Sequence, residues 1–138
     1  MRTYKDRVEK LLPHQYFVFG SNTEGRHGKG AALIARLKYG AVYGKSMGFQ
    51  GNSYAIVTKN LKSVYHPSIS RKVIEQQIKN LYVHARNKTR CEFLVAYGCG
   101  EPLNGYTLDE MAKMFAVEIP PENIVFEKSF ARLVKAHL

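Results

Sequence analysis

Two glycine-rich stretches and one lysine are the residues best suited to chemistry. The first stretch, Gly20-Ser21-Asn22 followed by Gly25, Gly28, Lys29 and Gly30, leaves an apolar run, Tyr16-Phe17-Val18-Phe19. It enters a helix-forming segment, residues 31–39, that Gly40 stops. A strand, a glycine loop and a helix N-terminus in that order bring backbone N–H groups and the positive end of the helix dipole onto an anion. A plain strand-to-helix turn would have the same composition. The second stretch, Gly98-Cys99-Gly100 through Gly105-Tyr106, follows the apolar run at residues 91–96. Two such loops in one domain suggest a diphosphate or dinucleotide ligand, one loop for each phosphate. Lys59 closes a third apolar run, residues 54–58, where its amine is either a nucleophile or an ordinary solvated lysine. Asn22 either closes a turn or bonds a ligand, and Tyr106 is either a core aromatic or a platform for one.

The familiar phosphate motifs are excluded. Gly28-Lys29 is followed by Gly30 instead of Ser or Thr, and Thr23 stands where a Walker loop has its first glycine. Gly28-x-Gly30 is no dinucleotide fingerprint, because Leu33 holds the third glycine position. Five scattered histidines and two cysteines eight residues apart make neither a metal site nor a disulfide framework. Cys99, between two glycines, has no histidine near it in sequence to activate it.

The elements that must position these residues alternate. Residues 2–12 read as a short amphipathic helix, with Tyr4, Val8, Leu11 and Leu12 on one side and Pro13 at its end. The first strand, glycine loop and helix follow, then a loop over residues 41–53 and the strand at 54–58. A long helix spans about residues 70–86, with Ile74, Ile78, Leu81 and Ala85 as its buried stripe. Thr107-x-x-Glu110 is a capping box that opens the next helix. Asn123-Ile124-Val125-Phe126 is a fourth strand, and residues 128–138 are a terminal helix. This order predicts one α/β domain of 138 residues, with helices on both faces of a mainly parallel or mixed sheet. Ligands of such sheets lie beyond the carboxyl ends of the strands, where both glycine loops begin.

No apolar run approaches a membrane span and the N-terminus lacks the apolar core of a signal peptide, so the expected location is cytoplasmic. The formal charge of +10 predicts attraction to polyanions. The basic residues are spread along the chain, which makes the charge a bias and not a motif.

In the order of its motifs the chain resembles a macrodomain, the ADP-ribose-binding fold, over residues 16–126. The matching features are Phe19-Gly20-Ser21-Asn22, His27-Gly28-Lys29-Gly30 with the alanine-rich helix after it, Gly98-Cys99-Gly100, and Gly105-Tyr106. Thr58-Lys59, His66-Pro67 and the helix from Ser70 are similar to the branch of terminal ADP-ribose glycohydrolases that use a lysine. The resemblance implies a three-layer α/β/α fold that holds ADP-ribose across the carboxyl edge of the sheet, with no cofactor. Gly20, Ser21 and Asn22 would flank the ligand, and Asn22 would bond its distal ribose. Gly28, Lys29, Gly30 and Ala31 would hold one side of the diphosphate, and Gly98, Cys99, Gly100 and Leu103 the other. Gly105 and Tyr106 would close the loop, with the Tyr106 ring against the distal ribose. Lys59 would attack the anomeric carbon of that ribose.

The chain departs from this pattern at three places. The loop after Gly100 is longer by Glu101-Pro102, and the position of the assisting aspartate falls on Asn104, which cannot act as a carboxylate base. Glu101 is either its substitute or a solvated loop residue. No residue clearly matches the early aspartate with which many macrodomains read adenine. Three functions stay open at this point. The chain hydrolyses an ADP-ribosyl linkage on protein or nucleic acid, it reads or sequesters an NAD-derived nucleotide without turnover, or it is a basic domain whose loops touch nucleic-acid phosphates.

Overall fold

The computed structural model describes residues 1–97 and 104–138. Its ten elements run β1 (Thr3–Tyr4), β2 (Gln15–Asn22), α1 (Gly30–Lys38), β3 (Gly48–Gln50), β4 (Ser53–Lys59), α2 (Arg71–Asn87), β5 (Glu92–Val95), α3 (Leu108–Phe115), β6 (Ile124–Glu127) and α4 (Lys128–Ala136). The six strands form one mixed sheet in the order β1-β6-β5-β2-β4-β3, parallel except for the β3–β4 hairpin. This is an α/β protein.

Alternation along the central strands sends side chains to two cores. Val18, Tyr54, Ile56, Phe93, Val95, Ile124 and Phe126 meet α2, α3 and α4 on one face. Phe17, Phe19 and Ala55 meet Ala35 of α1 on the other, where Ala31 and Ala32 let the helix lie close. α2 is tied to the sheet by Gln77. Its side chain accepts from Val57 N at 2.7 Å and donates to Val57 O at 2.8 Å. β3 pairs β4 only from Ser53 to Ala55, so the Val57 backbone lies beyond the last paired residue of β4 on that edge, and the buried Gln77 amide takes the place of a strand there.

Residues 2–12 are not a helix. Thr3 and Tyr4 pair in parallel with Phe126 and Glu127, and the Tyr4 hydroxyl donates to Val95 O at 2.6 Å. Asp6 then takes a left-handed backbone, φ 64°, which no α-helix contains. From there the chain crosses the α1 face as an irregular strap, with Val8 and Leu11 against the second core and Leu12 left half exposed. The i, i+4, i+7 spacing that predicts a helix is met instead by an extended chain pairing with β6. The segment at 41–53 also contains β3, whose three residues form only against β4.

β2 lies where the connections diverge. The chain leaving β2 goes to α1 on one face, and the chain leaving β5 goes to α3 on the other. A crevice opens between two adjacent parallel strands whose loops part in this way.

Candidate functional site

That crevice is a cavity of about 640 Å³. This size falls within the roughly 300–1,000 Å³ usual for small-molecule sites. Ends of β2 (Gly20, Ser21, Asn22) and β4 (Thr58, Lys59) and the two residues after β5 (Ala96, Tyr97) form its floor, and Arg26, Gly28, Lys29, Gly30 and Ala31 form one wall. The N-terminal strap supplies Tyr4, Asp6, Arg7 and Val8. Among the described residues the lining carries four basic side chains, Arg7, Arg26, Lys29 and Lys59, against one acid, Asp6. Arg26 is partly matched by Glu24 at 3.5 Å.

The β2 and β4 ends are set by a register shift. Ser21 pairs with Val57, but Asn22 pairs with Lys59, so the strands slip by one residue at Thr58. The slip brings Asn22 and Lys59 side by side at the cavity, and the Thr23 N–H donates to Lys59 O at 3.0 Å. Asn22 Oδ1 accepts from the N–H groups of Glu24 at 3.2 Å and Arg26 at 3.1 Å. Asn22 therefore closes a turn and also lines the cavity, while its Nδ2 has no partner among the described residues.

The glycine loop alternates between anchoring and facing the cavity. Gly25 packs backbone to backbone on the 44–45 segment, where a Cβ would stand 2.7 Å from Lys45 N, and Gly44 N donates to Gly25 O at 2.8 Å. His27 is fully buried in a left-handed backbone, φ 48°, that costs a non-glycine residue about 1–2 kcal/mol. Its Nε2 lies 2.9 Å from Lys45 O and 3.0 Å from Gln50 Oε1, and its ring meets Phe19 edge-on. Both acceptors call for the proton on Nε2, which leaves Nδ1 facing Ser21 Oγ at 3.5 Å. Arg26, Gly28, Lys29 and Gly30 line the cavity instead.

α1 begins at this wall without a cap. Lys29 at its N-cap makes no side-chain hydrogen bond to the helix, and the first turn holds no acid. The other three helices are capped by Ser70, by Thr107 with Glu110, and by Glu127. The first N–H groups of α1 are thus available to an anion, with the helix dipole behind them. Gly30 needs its left-handed φ of 56°. Gly28 does not. Its φ is outside that range and a Cβ there would meet nothing within 4 Å, so no contact inside the described protein excludes a side chain at Gly28.

Beneath Gly20 stands Tyr97. A Cβ on Gly20 would lie 2.8 Å from the Tyr97 hydroxyl, which bonds with Thr58. Burial pushes the phenol far above its ordinary pKa, and the Thr58 bond only partly offsets this, so the group is a neutral fixture of the floor.

Other expected residues are placed differently. Asn104 lines the cavity but is 3% exposed, and its amide is committed: Oδ1 accepts from Tyr106 N at 2.9 Å and Nδ2 lies 3.6 Å from Met111 Sδ. Tyr106 is not at the cavity. Its ring belongs to the core and its hydroxyl donates to Ile69 O at 2.7 Å, so it does not present the face expected for a ribose. Gly105 lies against the backbone of His66 and Pro67. Gly98, Cys99, Gly100, Glu101 and Leu103 lie outside the described residues.

Sequence reasoning missed the strap and Tyr97. A two-residue strand has no periodicity to detect, and reading residues 2–12 as a helix kept Asp6 and Arg7 away from the glycine loops. The usable signal was Asp6 itself, a residue tolerant of left-handed backbone in the middle of that helix. Among the described residues no cluster of metal-ligating side chains occurs, and no helix is long and apolar enough to cross a membrane.

Protein-family models, characterised proteins and solved structures were compared with the chain. None matches.

Proposed function

We propose that the protein is macrodomain-like in fold and binds ADP-ribose, free or attached to a larger molecule, in the cavity between β2 and β5. The observation that carries this reading is Gly28: its missing side chain has no reason within the described protein, and it opens the space in front of the uncapped α1 N-terminus. A diphosphate seated there would accept from the N–H groups of residues 30–32 and lie beside Lys29. The apolar wall made by Val8, Phe17, Ile34 and Ala96 suits a purine, with Asp6, the one acidic side chain among the described lining residues, to accept its exocyclic N–H. Asp6 would then be the adenine-reading aspartate that the sequence alone does not reveal. The distal ribose would lie toward Asn22 and Lys59.

With this seating, the Lys59 amine would attack the anomeric carbon of the distal ribose. A bond forms from nitrogen to that carbon as the bond to the carrier breaks, and the carrier leaves with a proton. Water then displaces the lysine. A reader without turnover is the second reading, favoured by the commitment of the Asn104 amide to Tyr106 and Met111. No carboxylate stands at that position.

Calorimetric titration with ADP-ribose, with AMP as control, tests the proposal on the wild type and Gly28→Glu. The Gly28 position is preferable to Gly30, because any side chain at Gly30 would strain its backbone and confuse binding with folding. Saturable binding that Gly28→Glu loses while keeping the wild-type melting temperature is the expected result. Absence of heat at millimolar ADP-ribose removes the reading.

A further inference from the structure

We infer that His27 and Gln50 form a positioning clamp that sets the phosphate-facing residues 28–31 from behind, coupling them to the 41–50 segment. The inference rests on the nucleotide reading of the cavity but concerns residues that do not line it. Neither His27 nor Gln50 is among the described lining residues; both are buried.

The Gln50 side chain is the hub of the segment it belongs to. Its Oε1 accepts from Val42 N at 2.8 Å and from His27 Nε2 at 3.0 Å, and its Nε2 donates to Lys45 O at 3.0 Å. The same Lys45 carbonyl accepts from His27 Nε2 at 2.9 Å. Residues 45 and 50 of one segment are thus bonded to one imidazole, and residue 42 is joined to it through Gln50. One residue beyond His27 the chain emerges at the cavity as Gly28, Lys29 and Gly30. Glycines at 28 and 30 cannot define their own path, since two of three consecutive residues lack a side chain to pack. Their placement has to come from the anchored residue before them and from α1 after them. A left-handed non-glycine backbone persists only where its surroundings over-determine it, and here the four-residue network of His27, Gln50, Lys45 and Ser21 does so.

A role confined to stability would weaken every ligand in step with the melting temperature. A clamp on residues 28–31 would instead weaken ligands that reach the glycine loop and spare those that do not. His27→Asn keeps a residue tolerant of left-handed backbone but is too short to reach Gln50. Gln50→Ala removes the hub from the other side without touching the loop. Affinities for ADP-ribose and for adenosine, which has no phosphate, would be measured by titration for both variants. Backbone amide spectra of the unliganded proteins would be recorded alongside. The expected result is a loss of tenfold or more for ADP-ribose, less than twofold for adenosine, and amide shifts concentrated at residues 28–31 with α3 unmoved. Parallel losses for the two ligands, or unmoved amides at 28–31 in both variants while the wild type binds ADP-ribose, overturns the clamp alone. A wild type that binds no ADP-ribose overturns the nucleotide reading and the clamp's role in it together.

Discussion

The Tyr97 hydroxyl occupies the space that a side chain at Gly20 would fill: a Cβ on Gly20 would stand 2.8 Å from it and 3.3 Å from Thr58 Oγ1. The ring cannot easily withdraw, since it stacks on Phe130 with centroids 5.5 Å apart and meets Phe115 at 5.8 Å. Gly20→Ala therefore overpacks the cavity floor and should cost about 1–3 kcal/mol in urea denaturation. Tyr97→Phe removes one buried hydrogen bond and should cost about 1 kcal/mol. The double variant should lose less than the sum, because the phenylalanine frees the space that the new methyl needs. Strict additivity would show that the two residues do not compete for it.

Asp6 at the strap end of the cavity makes a prediction about the base. A carboxylate aligned on the adenine amino group accepts from it, whereas in hypoxanthine the same position is a carbonyl oxygen and the nearest donor is the ring N1–H. The wild type should therefore prefer ADP-ribose to its hypoxanthine counterpart by roughly tenfold or more. Asp6→Asn tolerates the same left-handed backbone and offers both a donor and an acceptor. It should bring the two affinities within about threefold, as read by titration with each nucleotide. An unchanged preference would place the base elsewhere.

Lys59 separates turnover from binding. If its amine is the nucleophile, Lys59→Ala should bind ADP-ribose within about threefold of wild type and lose at least a hundredfold in release of ADP-ribose from a modified carrier. Equal release by variant and wild type would leave Lys59 as a charge beside the ligand. No release by either, with binding intact, would favour the reader.

Glu127 links stability to pH at the end of β6, beside the edge strand β1. Burial pushes its carboxyl up, but bonds from Ser129 Oγ, Phe130 N and Ser129 N, with Arg132 nearby, outweigh this and hold it below the ordinary value of 4.5. A carboxyl depressed in the folded state stabilises above its unfolded pKa, and that contribution is lost as pH falls through the folded one. The wild type should therefore lose stability in denaturation curves taken below about pH 4.5, and Glu127→Gln should lose less over the same range. At neutral pH Glu127→Gln should be weaker by about 1 kcal/mol, the usual worth of an N-cap. A variant that matched the wild type at both pH values would show the cap to be energetically silent.

Much of the architecture was legible because the signals are local. The apolar runs at 16–19 and 54–58 lie in β2 and β4, the run at 91–96 contains β5, and the stripe Ile74, Ile78, Leu81 and Ala85 is buried on α2. The box at Thr107 and Glu110 is present with both of its hydrogen bonds. Gly20, Ser21, Asn22, Gly28, Lys29, Gly30, Ala31, Lys59 and Asn104, named from two loops and a strand end, all line one cavity. Parallel strands bring their carboxyl ends together by construction, so residues far apart in sequence meet once the order of elements is known.

What the chain alone determined, then, is the order and type of β2, α1, β4, α2, β5, α3, β6 and α4 and the glycines left bare at the strand ends, because propensity, capping and alternation act over a few residues. Only tertiary structure decided the rest. β1 and β3 exist because β6 and β4 offer them an edge, and that pairing overrode the helical spacing of Tyr4, Val8 and Leu11. His27, beside the exposed Gly28, turned inward to partners 18 and 23 residues away. Tyr106 turned to the core for a carbonyl at Ile69, and Asp6 came to the cavity on a strap. Each of these outcomes depends on which distant backbone groups and apolar surfaces a residue can satisfy, and only the folded chain brings those groups within reach.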